Sequence, residues 1–169
     1  MTKRASSSSL WRCTHCGRRF ANRNQSHFCG RHSLEPHFEG KTPQVRELFD
    51  SFVALLQRFG SVTVLAEKTR IAFQVRMSFA AVSIRKNYIV GHFVFGRRVE
   101  HPRFLRVETY SPRNHLHAFR IDALADLDEE FAEWAREAYE VGEQKHLVSG
   151  PSRRCTAGQT DPNGEWKQP

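Results

Sequence analysis

Between residues 43 and 59 the apolar positions Val45, Leu48, Phe49, Phe52, Leu55, Leu56 and Phe59 recur at intervals that collect them on one broad face of an α-helix. Thr42-Pro43 reads as its start, because a threonine hydroxyl can accept from a free N–H of the first turn and proline at the first helical position forfeits no bond. Gly60 reads as its stop. From residue 61 the period changes. Runs rich in β-branched and aromatic residues, at 61–66, 70–75, 79–84, 88–95, 104–110 and 115–121, are divided by short separators and read as strands. In the second run Ile71, Phe73 and Val75 fall on one side and Arg70, Ala72 and Gln74 on the other. One side of the sheet is therefore core and the other mixed. The separators are short enough for neighbours to pair antiparallel, in a β-meander of about five or six strands. A second helix is predicted from near Asp126, which with Glu129 has the spacing of a capping box, along the stripe Leu127, Phe131, Trp134, Ala138 and Val141 to Gly142. Helix, meander and helix make an α+β domain over residues 42–142, with both helices on one face of the sheet.

Composition sets the frame around this domain. A chain of 169 residues has room for one ordinary core and a small appendage. Residues 1–9 carry serines where a signal peptide needs an apolar run, and no segment is long and apolar enough to span a bilayer. A cytoplasmic protein without membrane contact is expected. Residues 1–9 and 143–169 lack periodicity and are expected to be disordered. The net charge of +8 is unevenly spread. Residues 1–41 hold eight Lys or Arg against two Asp or Glu, residues 68–120 eleven against two, and residues 121–142 one against eight. That distribution suits an anionic partner, with nucleic acid the commonest, and it can also be neutralised internally if the acidic helix lies near the basic strands.

The cysteines change the picture most. In a reducing compartment the close pair Cys13 and Cys16 reads as half of a metal site rather than a disulfide. In Trp11-Arg12-Cys13-Thr14-His15-Cys16-Gly17-Arg18-Arg19-Phe20 the turn between the cysteines aims both sulfurs inward, Gly17 supplies a positive φ, and Phe20 stands where fingers keep a core aromatic. The preferred ligand set is Cys13, Cys16, His27 and Cys29, with His32 or His37 as possible replacements for one of them. Four ligands imply a closed, structural zinc site in a finger-like module over residues 10–38, a stretch too poor in apolar residues to fold unaided. Cys155, in the polar tail, reads as a bystander thiol.

The finger motif, continued by His27, Cys29 and then His37-Phe38-Glu39-Gly40-Lys41, resembles the opening of an uncharacterised bacterial family in which a short zinc-finger-like segment precedes a domain of unknown function. Lys68-Thr69-Arg70-Ile71, Phe79-Ala80-Ala81-Val82, His101-Pro102-Arg103, and Asp128-Glu129-Glu130 leading to Ala138-Tyr139-Glu140 resemble that domain, which also occurs at the C-terminal end of predicted nuclease-like or transport proteins. The resemblance spans about residues 10–142 and implies no catalytic residue.

Two functions from different classes follow. The first is a non-enzymatic nucleic-acid-binding protein, contacting DNA or RNA through Arg18, Arg19, Arg23 and Arg31 of the finger and Lys68 and Arg70 of the basic sheet face. The second is an enzyme or small-ligand-binding domain using a polar sheet face on which His115 and His117, two apart on one strand, join His92, Glu108 and Arg70. A solvated polar face is the plainer account of that histidine pair. A protein-interaction adaptor, suggested by the acidic helix, is a third reading.

Overall fold

A computed structural model of the chain describes residues 10–145 except 21, 22, 25, 26, 28, 30 and 31. The expected disordered ends, with Cys155, lie outside the described residues apart from 143–145.

The chain opens with a two-stranded hairpin of β1 (Trp11–Arg12) and β2 (Arg19–Phe20), in which Trp11 faces Phe20 across the pair. Helix α1 (Pro43–Gln57) follows. Then come six strands, β3 (Thr63–Ala66), β4 (Ile71–Gln74), β5 (Ser78–Ile84), β6 (Ile89–Phe95), β7 (Arg106–Ser111) and β8 (Asn114–Ile121), and finally α2 (Glu129–Gly142). The strands form one antiparallel sheet, and the architecture is α+β as the periodicities require.

Both helices cover one face of the sheet, because their apolar stripes and the inward strand positions have no other place to bury. Phe52 of α1 stands at the centre, with ring centroids 5.3 Å from Phe73, 6.2 Å from Phe93, 5.9 Å from Phe119 and 6.2 Å from Phe131. Each such buried side chain contributes about 1.5–3 kcal/mol of transfer free energy. On the core side of β6, Gly91 is required by close approach: a Cβ there would lie 2.7 Å from the Phe119 ring and 2.7 Å from the Ala81 carbonyl oxygen.

Three local expectations are corrected. Thr42 precedes α1 but its side chain makes no capping bond; its backbone N–H instead donates to the Lys86 carbonyl at 2.9 Å, tying the helix start to the β5–β6 turn. The second helix is capped by Asp128, whose carboxylate accepts the Phe131 N–H at 2.9 Å. Asp126 is engaged one turn earlier, accepting from the N–H groups of Asp122 and Ala123.

The third concerns strand order, which is β3-β4-β5-β6-β8-β7 rather than a sequential meander. The inward positions of β8 include the fully buried Ile121 and the buried Phe119, which belong beside β6, whereas β7 has no buried residue and suits an edge. Since β6 and β7 both run antiparallel to β8, they are parallel to each other, and residues 96–105 must cross the sheet to join them. This strap runs over the helix-covered face. Phe104 buries into the core, and Val99 N–H donates to His117 Nε2 at 2.9 Å. Its ends are fastened to α2, with Arg97 paired to Glu137 at 2.8 Å and Arg103 to Asp128 at 2.8 Å. The acidic helix thus neutralises part of the basic middle of the chain. Among the described residues no helix is long and apolar enough to cross a membrane.

Candidate functional site

The candidate metal site is assembled by local hydrogen bonding. Cys13 N–H donates to the Arg18 carbonyl and Gly17 N–H to the Cys13 carbonyl, each at 2.9 Å, which folds the Cys13–Cys16 turn back on itself. Gly17 adopts φ +71, the left-handed conformation expected of it. The turn brings Cys13, Cys16, His27 and Cys29 together, with all four donor atoms within 4.8 Å of one another. Cys13 Sγ lies 3.8 Å from Cys29 Sγ, and His27 Nε2 lies 3.3 Å from both Cys16 Sγ and Cys29 Sγ. An ion with Zn–S of about 2.3 Å and Zn–N of about 2.0 Å in a tetrahedron sets S–S edges of about 3.8 Å and S–N edges of about 3.5 Å. The donors stand close to those corners. Phe20 supports the cluster, its ring centroid 4.2 Å from that of His27.

Electrostatics points the same way. Burial raises the Cys16 thiol, but the Arg18 N–H, His27 and Cys13 outweigh it and pull the pKa down to about 6. Burial and the charge of the neighbouring Cys13 and Cys16 push Cys29 up to about 11. Three thiolates this close repel one another, and a cation bound among them would remove that conflict. Neither alternative ligand joins the cluster. His37 Nε2 is 2.8 Å from the Glu67 carbonyl oxygen, to which it can donate, and exposed His32 is not among the four gathered donors.

The sheet face away from the helices is open. It carries Arg70 and Ala72 from the β4 side, Ala81, Val90, His92 and Val94 from the centre, Leu116 and Ala118 from β8, and Arg106, Glu108 and Tyr110 from the edge strand. Two adjoining hollows of about 310 and 340 Å³ lie on it and share Arg70, His92, Tyr110 and Leu116. Burial, reinforced by the nearby Arg70 charge, drives the His92 pKa down to about 4, so its imidazole is neutral at pH 7.

Residues 34–142 match the family described as Domain of unknown function (DUF5655), a stretch that covers more than half of the chain. The chain belongs to this family. No curated protein and no solved structure matches it. The four gathered metal donors all precede the DUF5655 match, so the finger is attached to the domain rather than part of the matched region. The two touch where Gln74 Nε2 donates to the Arg19 carbonyl at 3.1 Å, and Leu10, Gly17 and Arg18 border a hollow against Ser61, Thr63 and Val75 of the DUF5655 domain.

The residues expected to bind nucleic acid divide into two sets. Arg19 and Arg23 are exposed on the finger, Arg18 lies half-buried at the junction, and Arg31 falls outside the described residues. Lys68 and Arg70 occupy the β3–β4 turn at the other end of β4, about 13 Å along the strand from Gln74. Arg70 also pairs with Glu67 at 2.6 Å.

His115 and His117 do share a face, but it is the helix-covered one. His117 is fully buried, 4.4 Å from the Phe95 ring and 5.0 Å from Phe104. Its Nδ1 lies 3.0 Å from the His115 carbonyl oxygen while Nε2 accepts from Val99, an arrangement that keeps the imidazole neutral with its proton on Nδ1. Burial lowers its pKa accordingly. Glu108 pairs across from Leu116 and projects to the opposite side. The polar face expected to join His115 and His117 to His92, Glu108 and Arg70 is therefore split by the sheet, and only Arg70, His92 and Glu108 of that set meet, on the open face. Tyr110, Leu105 and Leu116 complete that hollow and no motif marked them, though Tyr110 shares its strand parity with Arg106 and Glu108.

Proposed function

We propose that the protein is a non-enzymatic nucleic-acid-binding protein whose finger is stapled by one structural zinc ion. The observation that carries this reading is the Gln74–Arg19 hydrogen bond. Gln74 lies on the open side of β4, so the bond seats the arginine-bearing finger beside the same face that Arg70 borders. Arg19 and Arg23 have no carboxylate partner among the described residues, leaving their charge available to phosphates. The zinc supplies closure of the fold: three thiolates and one imidazole fill a tetrahedral shell and leave no position for a reacting water.

Binding of labelled oligonucleotides by fluorescence anisotropy tests the reading. Affinity should fall steeply between about 50 and 200 mM salt, and changing Arg18, Arg19 and Arg23 together to Ala should reduce the slope of log K against log salt by about 2 to 3. An unchanged affinity in that triple variant overturns it. Metal analysis should find one zinc per chain and none after Cys13→Ser with Cys16→Ser; negligible zinc in both would remove the staple.

A further inference from the structure

We propose that the open sheet face is a stacking platform for unpaired bases, so that the preferred ligand is single-stranded nucleic acid lying across β6, β8 and β7, with His92 and Tyr110 as the stacking rings. This rests on the nucleic-acid reading above and assigns it a ligand class and a second contact surface.

Three observations carry it. Of the three large apolar side chains left exposed among the described residues, two flank this face: Tyr110 at 75% and Leu105 at 65%. An aromatic held out into water on an edge strand, above a hollow, has a free face for a base to cover. The floor is shallow and apolar, made of Ala81, Ala118, Val90 and Leu116, which lets a flat ring approach the backbone closely. His92 lines both hollows, and its ring, neutral at pH 7, brings no charge that a stacked base would have to desolvate. With β8 between them, β6 and β7 are about 10 Å apart, room for successive nucleotides rather than a single base.

The charges suit a strand. Arg70 pairs with Glu67 at 2.6 Å and Arg106 with Glu108 at 3.0 Å, both in solvent. Such exposed pairs are worth at most about 1 kcal/mol, so phosphates can replace the carboxylates at little cost. The finger arginines add positive charge at the other end of β4, beside Gln74. A duplex fits this surface poorly, because the base faces that Tyr110 and His92 would cover are already stacked against neighbours.

The test compares the full-length, zinc-loaded protein with Tyr110→Ala and Tyr110→Phe, using a labelled single strand of about 12 nucleotides and the matching duplex. Tyr110→Ala should weaken single-strand binding about tenfold while Tyr110→Phe stays near the unaltered value, and duplex affinity should not move. Tyr110 is exposed, so an unchanged thermal melt is expected in both variants. Equal single-strand affinity in Tyr110→Ala, or an equal loss on duplex, overturns the platform while leaving the finger reading in place. A mononucleotide that competes as well as the oligonucleotide overturns it in favour of a nucleotide pocket. No binding of any oligonucleotide overturns both readings together.

Discussion

In the stretch before residue 34 only Cys13 and Phe20 are buried among the described residues, whereas in the DUF5655 domain seven phenylalanines, Phe52 among them, are fully buried. The finger has almost no apolar interior to order it, and it gathers instead four donor atoms that one ion could share. The domain has an interior large enough to hold two helices on a six-stranded sheet without any ligand. Placed side by side and joined by the Gln74–Arg19 bond, the two regions teach that one short chain can use independent sources of stability. Each should fail under conditions that spare the other.

The largest effect is expected from removing the metal. Structural zinc sites contribute on the order of 10–16 kcal/mol of apparent binding free energy, so a strong chelator should expose Cys13, Cys16 and Cys29 to thiol reagents and open the finger to proteolysis. The thermal transition of the domain should move little. A domain that melted with the finger would break the division. Next is Phe52→Ala, which deletes the ring at the centre of the core and should cost about 3–5 kcal/mol in a denaturant titration. The metal content should remain one ion per chain, and its loss would again couple the regions.

Acid should produce the smallest effect of the three. Because the folded pKa of His92 lies near 4, below the value of about 6.5 in the unfolded chain, the unfolded state takes up protons first. The His92 contribution to stability is therefore fully present above about pH 6.5 and falls by about 3 kcal/mol as the pH drops to about 4. His117, whose pKa is also lowered by burial, adds to the loss in the same direction. A His92→Gln variant should show a shallower decline in stability between those pH values, and an unchanged decline would mean that His92 does not carry it.

How much was legible in advance depended on range. The six strands and both helices lie where the periodicities put them, since burial of one face imposes a period that the chain itself displays. Cys13 and Cys16 are readable as donors because a two-residue spacing followed by Gly17 is a local geometric fact, whereas the choice of His27 and Cys29 over His32 and His37 needed the folded chain. The cap of α2 was misplaced by two residues because Asp126 and Asp128 are equally competent caps, and only the preceding turn, which occupies Asp126, separates them. His115 and His117 looked like surface chemistry because histidine is polar; nothing local reveals that Val99, eighteen residues away, will come to satisfy His117.

The sequence by itself determined the elements, the knuckle and the basic charge of the finger, because each depends on neighbours a few residues apart. Only the tertiary structure decided that β8 displaces β7 from the centre, that residues 96–105 cross the sheet and seal His117 inside, and that Arg70, His92 and Tyr110 share an open face. Strand order and facing depend on which of several nearly equivalent pairings buries the most apolar surface, a sum over the whole molecule that no local stretch of chain contains.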